Sequence, residues 1–437
     1  MKRLLAYVAF LALALGSNAA SDTAGPAPRV DHHQHLLSPS AVALQNRFLE
    51  PVAVSAELAD VVAARERSWN DKVALAKLYT DDAVISAETR GWIHGAERSA
   101  AFMSMRFRAP YRLIATAVRA KGDAARIEGY YARGEGASRR VLGFFQLSLE
   151  KRDGRWAIAA ETALFADVKP STVQTAADLV RYLDEAGIAR AVVLSDGYYF
   201  DSPKNDVTER LAKVRAENDW TAGQVAQFPR RLVAFCSFNP LAEHALAELE
   251  RCHQSGRFSG VKLHFGTSGV DLNNQEHVQK VRAVVTAANG KRWPLIVHVR
   301  ADAAYGAREA RVLIEQVIAA APDVTFQIAH LWGGEGFSDS ALEVYANAVA
   351  AGDPRTRRLY FDLAEVGLVA GYSPEALQKV AERMRQIGLS RILYGSDGPV
   401  AESQSPAESW KTTHKLPLTD AEFAQIAANV APYLADR

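Results

Sequence analysis

Cysteine is scarce in this sequence: Cys236 and Cys252 are the two among 437 residues. Cys236 lies in the apolar run LVAFCSF and Cys252 closes a helical pattern, AEHALAELERCHQSG. Such a pair permits a disulfide in an oxidising compartment without implying one, and we read both as buried thiols. A charge surplus is missing too. Lys plus Arg number 51 against 50 for Asp plus Glu, a formal net charge of +1. That balance leaves no electrostatic footprint for nucleic acid or an anionic membrane, so neither is expected as a partner. The one long apolar run near the start, Leu4 to Leu15, is too short to span a bilayer comfortably. No cysteine follows it, which argues against a lipid-anchored lipoprotein.

What is present at the N-terminus is an export pattern. Lys2 and Arg3 precede the apolar run, and Ser17, Ala19 and Ala20 offer small residues for a signal peptidase. Residues 1–20 are therefore read as a signal peptide, and the mature protein as a bacterial periplasmic one with no stable membrane anchor after cleavage. An uncleaved anchor is the alternative.

The length exceeds one ordinary compact domain, so a large barrel or two domains is expected. From residue 167 on, short apolar runs alternate with helical patterns. The runs are ARAVVLS, RLVAFCSF, SGVKLHF, PLIVHVR, VTFQIAH, RLYFDLAE and RILYGSD. Between them stand segments such as TAADLVRYLDEAG and SPEALQKVAERMRQIG, several closed by glycine where a helix C-cap falls. PRVDHHQH, near the start, supplies an eighth strand. Eight alternations of near-continuous apolar strands predict an α/β fold, a (β/α)8 TIM barrel, with a doubly wound open sheet as the alternative.

Histidine follows this pattern. Of eleven histidines, three fall within VDHHQH, and His264, His298 and His330 lie at or near the ends of later runs, while Asp397 ends the last one. Functional side chains of such barrels stand at the C-terminal ends of the strands. Side chains alternate along a strand, so Asp31, His33 and His35 are expected on one face, and His32 and Gln34 on the other. His33 and His35 can then share one metal, and His32 packs outside against a covering helix.

With an HxH on the first strand, His on the fifth and sixth and Asp on the eighth, the chain resembles the amidohydrolase superfamily. VDHHQH, GVKLH, IAHLWG, LYGSDGP and the tail EFAQIAANVAPYL are similar to its amidohydrolase-2 branch, which contains metal-dependent hydrolases and non-oxidative decarboxylases. The likeness covers residues 28–40 and about 170–437. It implies a metal held by His33, His35, His298 and Asp397, a set that suits one Zn²⁺ and tolerates Mn²⁺ or Fe²⁺. Asp397 would also take a proton from the water, whose pKa a catalytic zinc lowers to about 7, with His330 beside that water as the second catalytic group. Lys262 and His264 share a face of the fourth strand. By the same resemblance Lys262 could bridge a second metal and His264 could contact substrate; the bland alternative is a buried lysine with an ion-pair partner.

Around the rim, Arg300 could hold a substrate carboxylate, and Trp332, Tyr198 and Tyr199 could line a pocket. HLWGGEGFSDS is glycine-rich enough for a mobile loop over the site.

Residues 50–166 do not fit the barrel. So long an interruption after the first strand (28–49) reads as a folded insertion before the barrel resumes at 167–437. Helical SAELADVVAARERSWN comes first and long alternating strands last, with DGR as a turn. ALAKLYTDDAVI, GWIHGAERSAAFM and LEKRDGRWAIAAET resemble the SnoaL-like or NTF2-like cone. His94, Asp81, Asp82 and Glu88 are its polar candidates, the two aspartates read as a turn. Lacking a complete acid and base pair, the insert is expected to serve as a lid, a substrate-binding wall or an oligomer contact, so a homo-oligomer is possible.

The sequence thus points to a hydrolase cleaving an amide, lactone or ester of a small molecule with metal-activated water. A decarboxylase of the same branch is the first alternative, and a non-catalytic periplasmic binding protein for small molecules the second.

Overall fold

The computed structural model describes residues 25–87, 91–134, 139–166, 170–299, 305–334, 337–366, 373–398 and 405–435. Arg300, Glu88 and residues 1–20, read above as a signal peptide, lie outside them. The chain divides into two compact units. One is Ala43–Ser171, and the other joins residues up to Val42 with those from Thr172 onward.

Among the described residues the strands in chain order are β1 Val30–His35, β2 Tyr79–Ala87, β3 Gly91–His94, β4 Arg112–Lys121, β5 Ala124–Arg133, β6 Arg140–Arg152, β7 Arg155–Leu164, β8 Arg190–Leu194, β9 Leu232–Ser237, β10 Val261–His264, β11 Leu295–His298, β12 Phe326–Ile328, β13 Leu359–Asp362 and β14 Ile392–Leu393. An eight-stranded sheet runs β1-β8-β9-β10-β11-β12-β13-β14, each neighbouring pair parallel. All eight apolar runs found in the sequence are its strands. Backbone bonds from His32 N to Tyr394 O (2.9 Å) and from Asp397 N to His33 O (2.8 Å) join its last strand region to its first. This is the TIM barrel, and its strands are buried on both faces because helices cover the outside. Helix starts follow the side-chain chemistry: Thr175, Ser405 and Thr419 each cap a helix whose third residue is acidic and bonds back to the cap.

Cys236 on β9 and Cys252 on the Ala245–Gln254 helix form a disulfide, the described residues leaving no free cysteine. The expectation of two idle thiols is therefore corrected. Sequence spacing alone could not show that the strand and the helix after it pack with the two side chains face to face.

The other unit is a six-stranded sheet in the order β3-β2-β7-β6-β5-β4, antiparallel except between β2 and β7. Asp153 and Gly154, with φ of 51° and 75°, make the two-residue turn between β6 and β7 that Asp-Gly favours. The helices Ala56–Arg67 and Ala96–Ser104 contribute Leu58, Val61, Val62, Ala100 and Met103 to a core shared with Ile127, Leu147 and Leu149 of the sheet. Inside lies a satisfied polar cluster: Arg65 Nη2 donates to Glu161 Oε1 at 3.1 Å, and the Tyr79 and Tyr131 hydroxyls also donate to Glu161. Asp81 and Asp82 are exposed on β2, at an irregularity in its pairing with β7, rather than in a turn. His94 is exposed on the edge strand β3.

Among the described residues no helix is long and apolar enough to cross a membrane.

Candidate metal centre

The site is built at the C-terminal ends of the barrel strands. Five imidazoles form a continuous run there. Ring centroids lie 5.4 Å apart for His35 and His33, 5.0 Å for His33 and His330, 4.9 Å for His330 and His298, and 3.9 Å for His298 and His264, which stack nearly parallel. Burial alone would push such rings toward neutrality. It does so for His298, His264 and His330, the last lowered to about 4.

Asp397 is the hub. Its Oδ1 lies 3.1 Å from His33 Nε2 and 3.4 Å from His35 Nε2, and its Oδ2 lies 3.8 Å from His330 Nε2. Although burial raises its proton affinity, His33, His330 and His35 outweigh that and hold the carboxyl well below the usual range. For His33, burial and Lys262 push down, yet Asp397 and Asp362 prevail and hold the imidazole up at about 9.

Behind each β1 imidazole stands a second carboxylate, hydrogen-bonded to His33 and in ion-pair range of His35. His33 Nδ1 lies 3.1 Å from Asp362 Oδ2 and His35 Nδ1 lies 2.8 Å from Asp196 Oδ1. With the His33 Nδ1 proton held by Asp362, Nε2 is the nitrogen that gives up its proton to ligate a metal. His330 is oriented the same way, its Nδ1 donating to the Ala364 carbonyl at 3.0 Å. Asp362 is buried and also accepts from Gln327 Nε2 (2.7 Å), His330 N (2.9 Å) and Ala364 N (3.2 Å). Its proton affinity, raised by burial, is brought well down by His33, by His330 and by the Gln327 bond.

Among the described residues two groups of ligand atoms converge: His33, His35 and Asp397, and His330, Glu365 and Asp397. His298 belongs to neither group, but its Nε2 is buried without a hydrogen-bond partner. Gly334 makes room for that nitrogen: a Cβ there would stand 2.2 Å from it. An unsatisfied buried imidazole nitrogen, on a ring packed against His330, fits a cation.

The backbone is strained where the site residues emerge. His330, Leu331, Glu365 and Asp397 have φ of 54°, 59°, 57° and 56°, the left-handed region that non-glycine residues avoid.

Lys262 is buried on β10, its Nζ 3.0 Å from His33 Nε2. His264 Nδ1 accepts from Thr267 N at 3.1 Å, which places its ring proton on Nε2. Tyr198 is buried with its ring 4.9 Å from that of His264 and 4.7 Å from that of Tyr199. Trp332 is buried against Phe337. In HLWGGEGFSDS the described residues make a kinked turn at His330–Gly333, with Leu331 outside helical geometry, and begin a helix at Asp339. His32 is turned away, its Nδ1 3.0 Å from Tyr394 O and its Nε2 accepting from Ala431 N at 3.0 Å. Strict alternation fails at Asp31, which accepts from Gln34 Nε2 (2.8 Å) and Ser396 Oγ (2.6 Å) instead of joining His33 and His35. The register of β1 against β8 shifts between Asp31 and Gln34, and this irregularity breaks the alternation.

Asp196, Asp362 and Glu365 were missed in the sequence. The rule that selected Asp397, an acidic residue at or just past the end of an apolar run, would have found all three in VVLSD and LYFDLAE.

The sequence model of the family Amidohydro_2, described as amidohydrolase, matches residues 30–430. The chain belongs to the amidohydrolase family. It is an enzyme of a family that typically binds divalent metals, and its candidate ligand groups lie where the barrel strands end. Among solved structures this amidohydrolase is similar to 5-carboxyvanillate decarboxylase from Sphingomonas paucimobilis, at 18% identity over 57% of this chain and 79% of that one, TM-score 0.39. A probable 2-pyrone-4,6-dicarboxylic acid hydrolase from Acinetobacter baumannii matches at 15% identity over 59% and 87%, TM-score 0.39. An NTF-2 like protein of unknown function from Shewanella oneidensis matches at 17% over 25% and 96%, TM-score 0.21. No curated protein matches.

Proposed function

We propose that this amidohydrolase is a hydrolase that cleaves an amide, lactone or ester bond of a small molecule, with His33, His35, His298 and Asp397 holding one divalent ion, most suitably zinc. One observation carries the reading: two imidazole Nε2 atoms of β1 converge on one Asp397 oxygen, while His33 Nδ1 is hydrogen-bonded to Asp362 and His35 Nδ1 faces Asp196. Mn²⁺ or Fe²⁺ would also suit this donor set. A bound ion of this kind supplies Lewis acidity and lowers the pKa of water to about 7.

The remaining work belongs to the chain. Asp397, kept ionised by its histidine neighbours, accepts the proton of the attacking water and returns it to the leaving group. His330, its Nδ1 proton committed to Ala364, presents a lone pair on Nε2 that orients the same water. His264 carries its proton on Nε2 and donates to the substrate carbonyl oxygen. Lys262, buried with its Nζ 3.0 Å from His33 Nε2, adds positive charge to the site instead of bridging a second ion.

Export to the periplasm is part of the proposal, and the Cys236–Cys252 disulfide supports it because such bonds persist in oxidising compartments.

The test is a panel of esters, lactones and amides, with aromatic carboxylates alongside, offered to metal-reconstituted protein. Acid release is expected, and Asp397→Asn should lower it by about 10²–10⁴-fold. Carbon dioxide release without hydrolysis would assign a decarboxylase instead. Binding without turnover would assign a binding protein.

A further inference from the structure

The opposite end of the barrel holds a second cleft, of about 700 Å³. Its floor is apolar, formed where β9 begins at Leu232, Val233 and Ala234, and one wall is the end of the Arg210–Val225 helix with Ala222 and Val225. Arg190, which opens β8, lines it together with Arg230 and Arg257, and no acidic residue does. The metal-centre residues stand at the far ends of these strands, so this cleft is separate from that site.

The three guanidinium groups are not equally engaged. Arg190 donates to the Leu434 carbonyl at 3.4 Å. Arg257 Nη1 lies 3.5 Å from Asp219 Oδ1, an oxygen it shares with Arg251 at 2.9 Å, so one carboxylate serves two cations. Arg230 is exposed and makes no ion pair or hydrogen bond through its side chain among the described residues. Positive charge is therefore left over at the mouth of an apolar hollow. The volume falls within the range of about 300–1,000 Å³ typical of small-molecule pockets. An oxyanion on an apolar body satisfies both halves, the guanidinium forks taking the charge and the strand ends burying the body.

We propose that this cleft at the N-terminal end of the barrel binds a small organic oxyanion, a carboxylate or phosphate monoester carrying an aromatic or aliphatic body. The test is calorimetric titration of the mature full chain with phenylphosphate as probe, alongside inorganic phosphate and benzyl alcohol. Phenylphosphate should bind saturably, and each half-probe at least about tenfold more weakly. Arg230→Glu should weaken phenylphosphate at least about tenfold, Arg257→Gln should weaken it too, and Arg230→Lys, which keeps the charge but loses the planar fork, should fall between wild type and Arg230→Glu. Raising the salt should weaken binding further. An isotherm unchanged in Arg230→Glu and Arg257→Gln would place any binding elsewhere and overturn the proposal. So would inorganic phosphate binding as tightly as phenylphosphate, or no saturable binding at all.

Discussion

Replacing Asp362 by Asn tests whether the metal centre depends on the carboxylate behind it. Both oxygens of Asp362 are fully used, Oδ2 by His33 Nδ1 and Gln327 Nε2, and Oδ1 by the backbone amides of His330 and Ala364. Asparagine turns one of these oxygens into a donor, so whichever way it faces, two buried donors lose their acceptor. Each such loss costs about 1–3 kcal/mol if nothing relaxes. Gln327 cannot flip freely, since its Oε1 accepts from the Tyr433 hydroxyl at 2.8 Å. The backbone amides cannot move. His33 has the easiest escape: shifting its proton to Nε2 lets Nδ1 accept from the new amide, but it turns an N–H toward the metal position. Asp362→Asn should therefore retain its fold, melt several degrees lower, and lose about 10–100-fold in zinc affinity with a parallel fall in kcat/KM. Competition with a chelator of known affinity, paired with thermal unfolding, reads both. Zinc affinity equal to wild type would refute the reasoning, because His33 would then not need its proton fixed on Nδ1.

Three further outcomes follow from the same geometry. Gly334→Ala forces a methyl onto His298 Nε2 at a φ of 106°, so it should displace that imidazole and lower metal content while circular dichroism stays native; full metal occupancy in this variant would count against His298 as a ligand. Burial raises the Glu217 carboxyl to about 8, with the Ser38 bond opposing, so the folded state holds a proton that the unfolded state has already released. That contribution to stability is complete below about pH 4.5 and is lost as pH rises through 8, at about 1.4 kcal/mol for each tenfold change in proton affinity. Glu217→Gln should accordingly flatten the stability profile between pH 5 and 8, and a denaturation series showing the wild-type slope would be the contrary result. Cys236→Ser opens a loop of 16 residues, for which chain entropy gives a destabilisation of roughly 3 kcal/mol, readable as a lower urea midpoint that reducing agent does not lower further.

The barrel was legible because its strands are buried on both faces and so read as apolar runs without alternation, each followed by a helix with its own cap. His33, His35, His330 and Asp397 were legible because strand ends in this fold project to one place. The parts that stayed hidden depend on distances between elements far apart in sequence. Nothing local marks Asp362 as the partner of His33, 329 positions away. The pairing of Cys236 with Cys252 required knowing how a helix docks on the strand before it. Asp31 shows a different limit: its neighbours were assigned by strict alternation, and one irregularity in β1 sent it to Ser396 instead. The Arg65–Glu161 pair inside the insert was hidden for the same reason as Asp362, its members lying 96 positions apart.

Metal content of the purified protein, measured by elemental mass spectrometry before and after chelation and in His33→Ala, tests the central claim most directly. The account predicts about one equivalent of zinc or a similar divalent ion per chain, removed by chelator, restored by reconstitution and absent from the folded variant. Two equivalents would contradict the single-ion reading of Lys262, and no metal even after reconstitution would contradict the catalytic account as a whole.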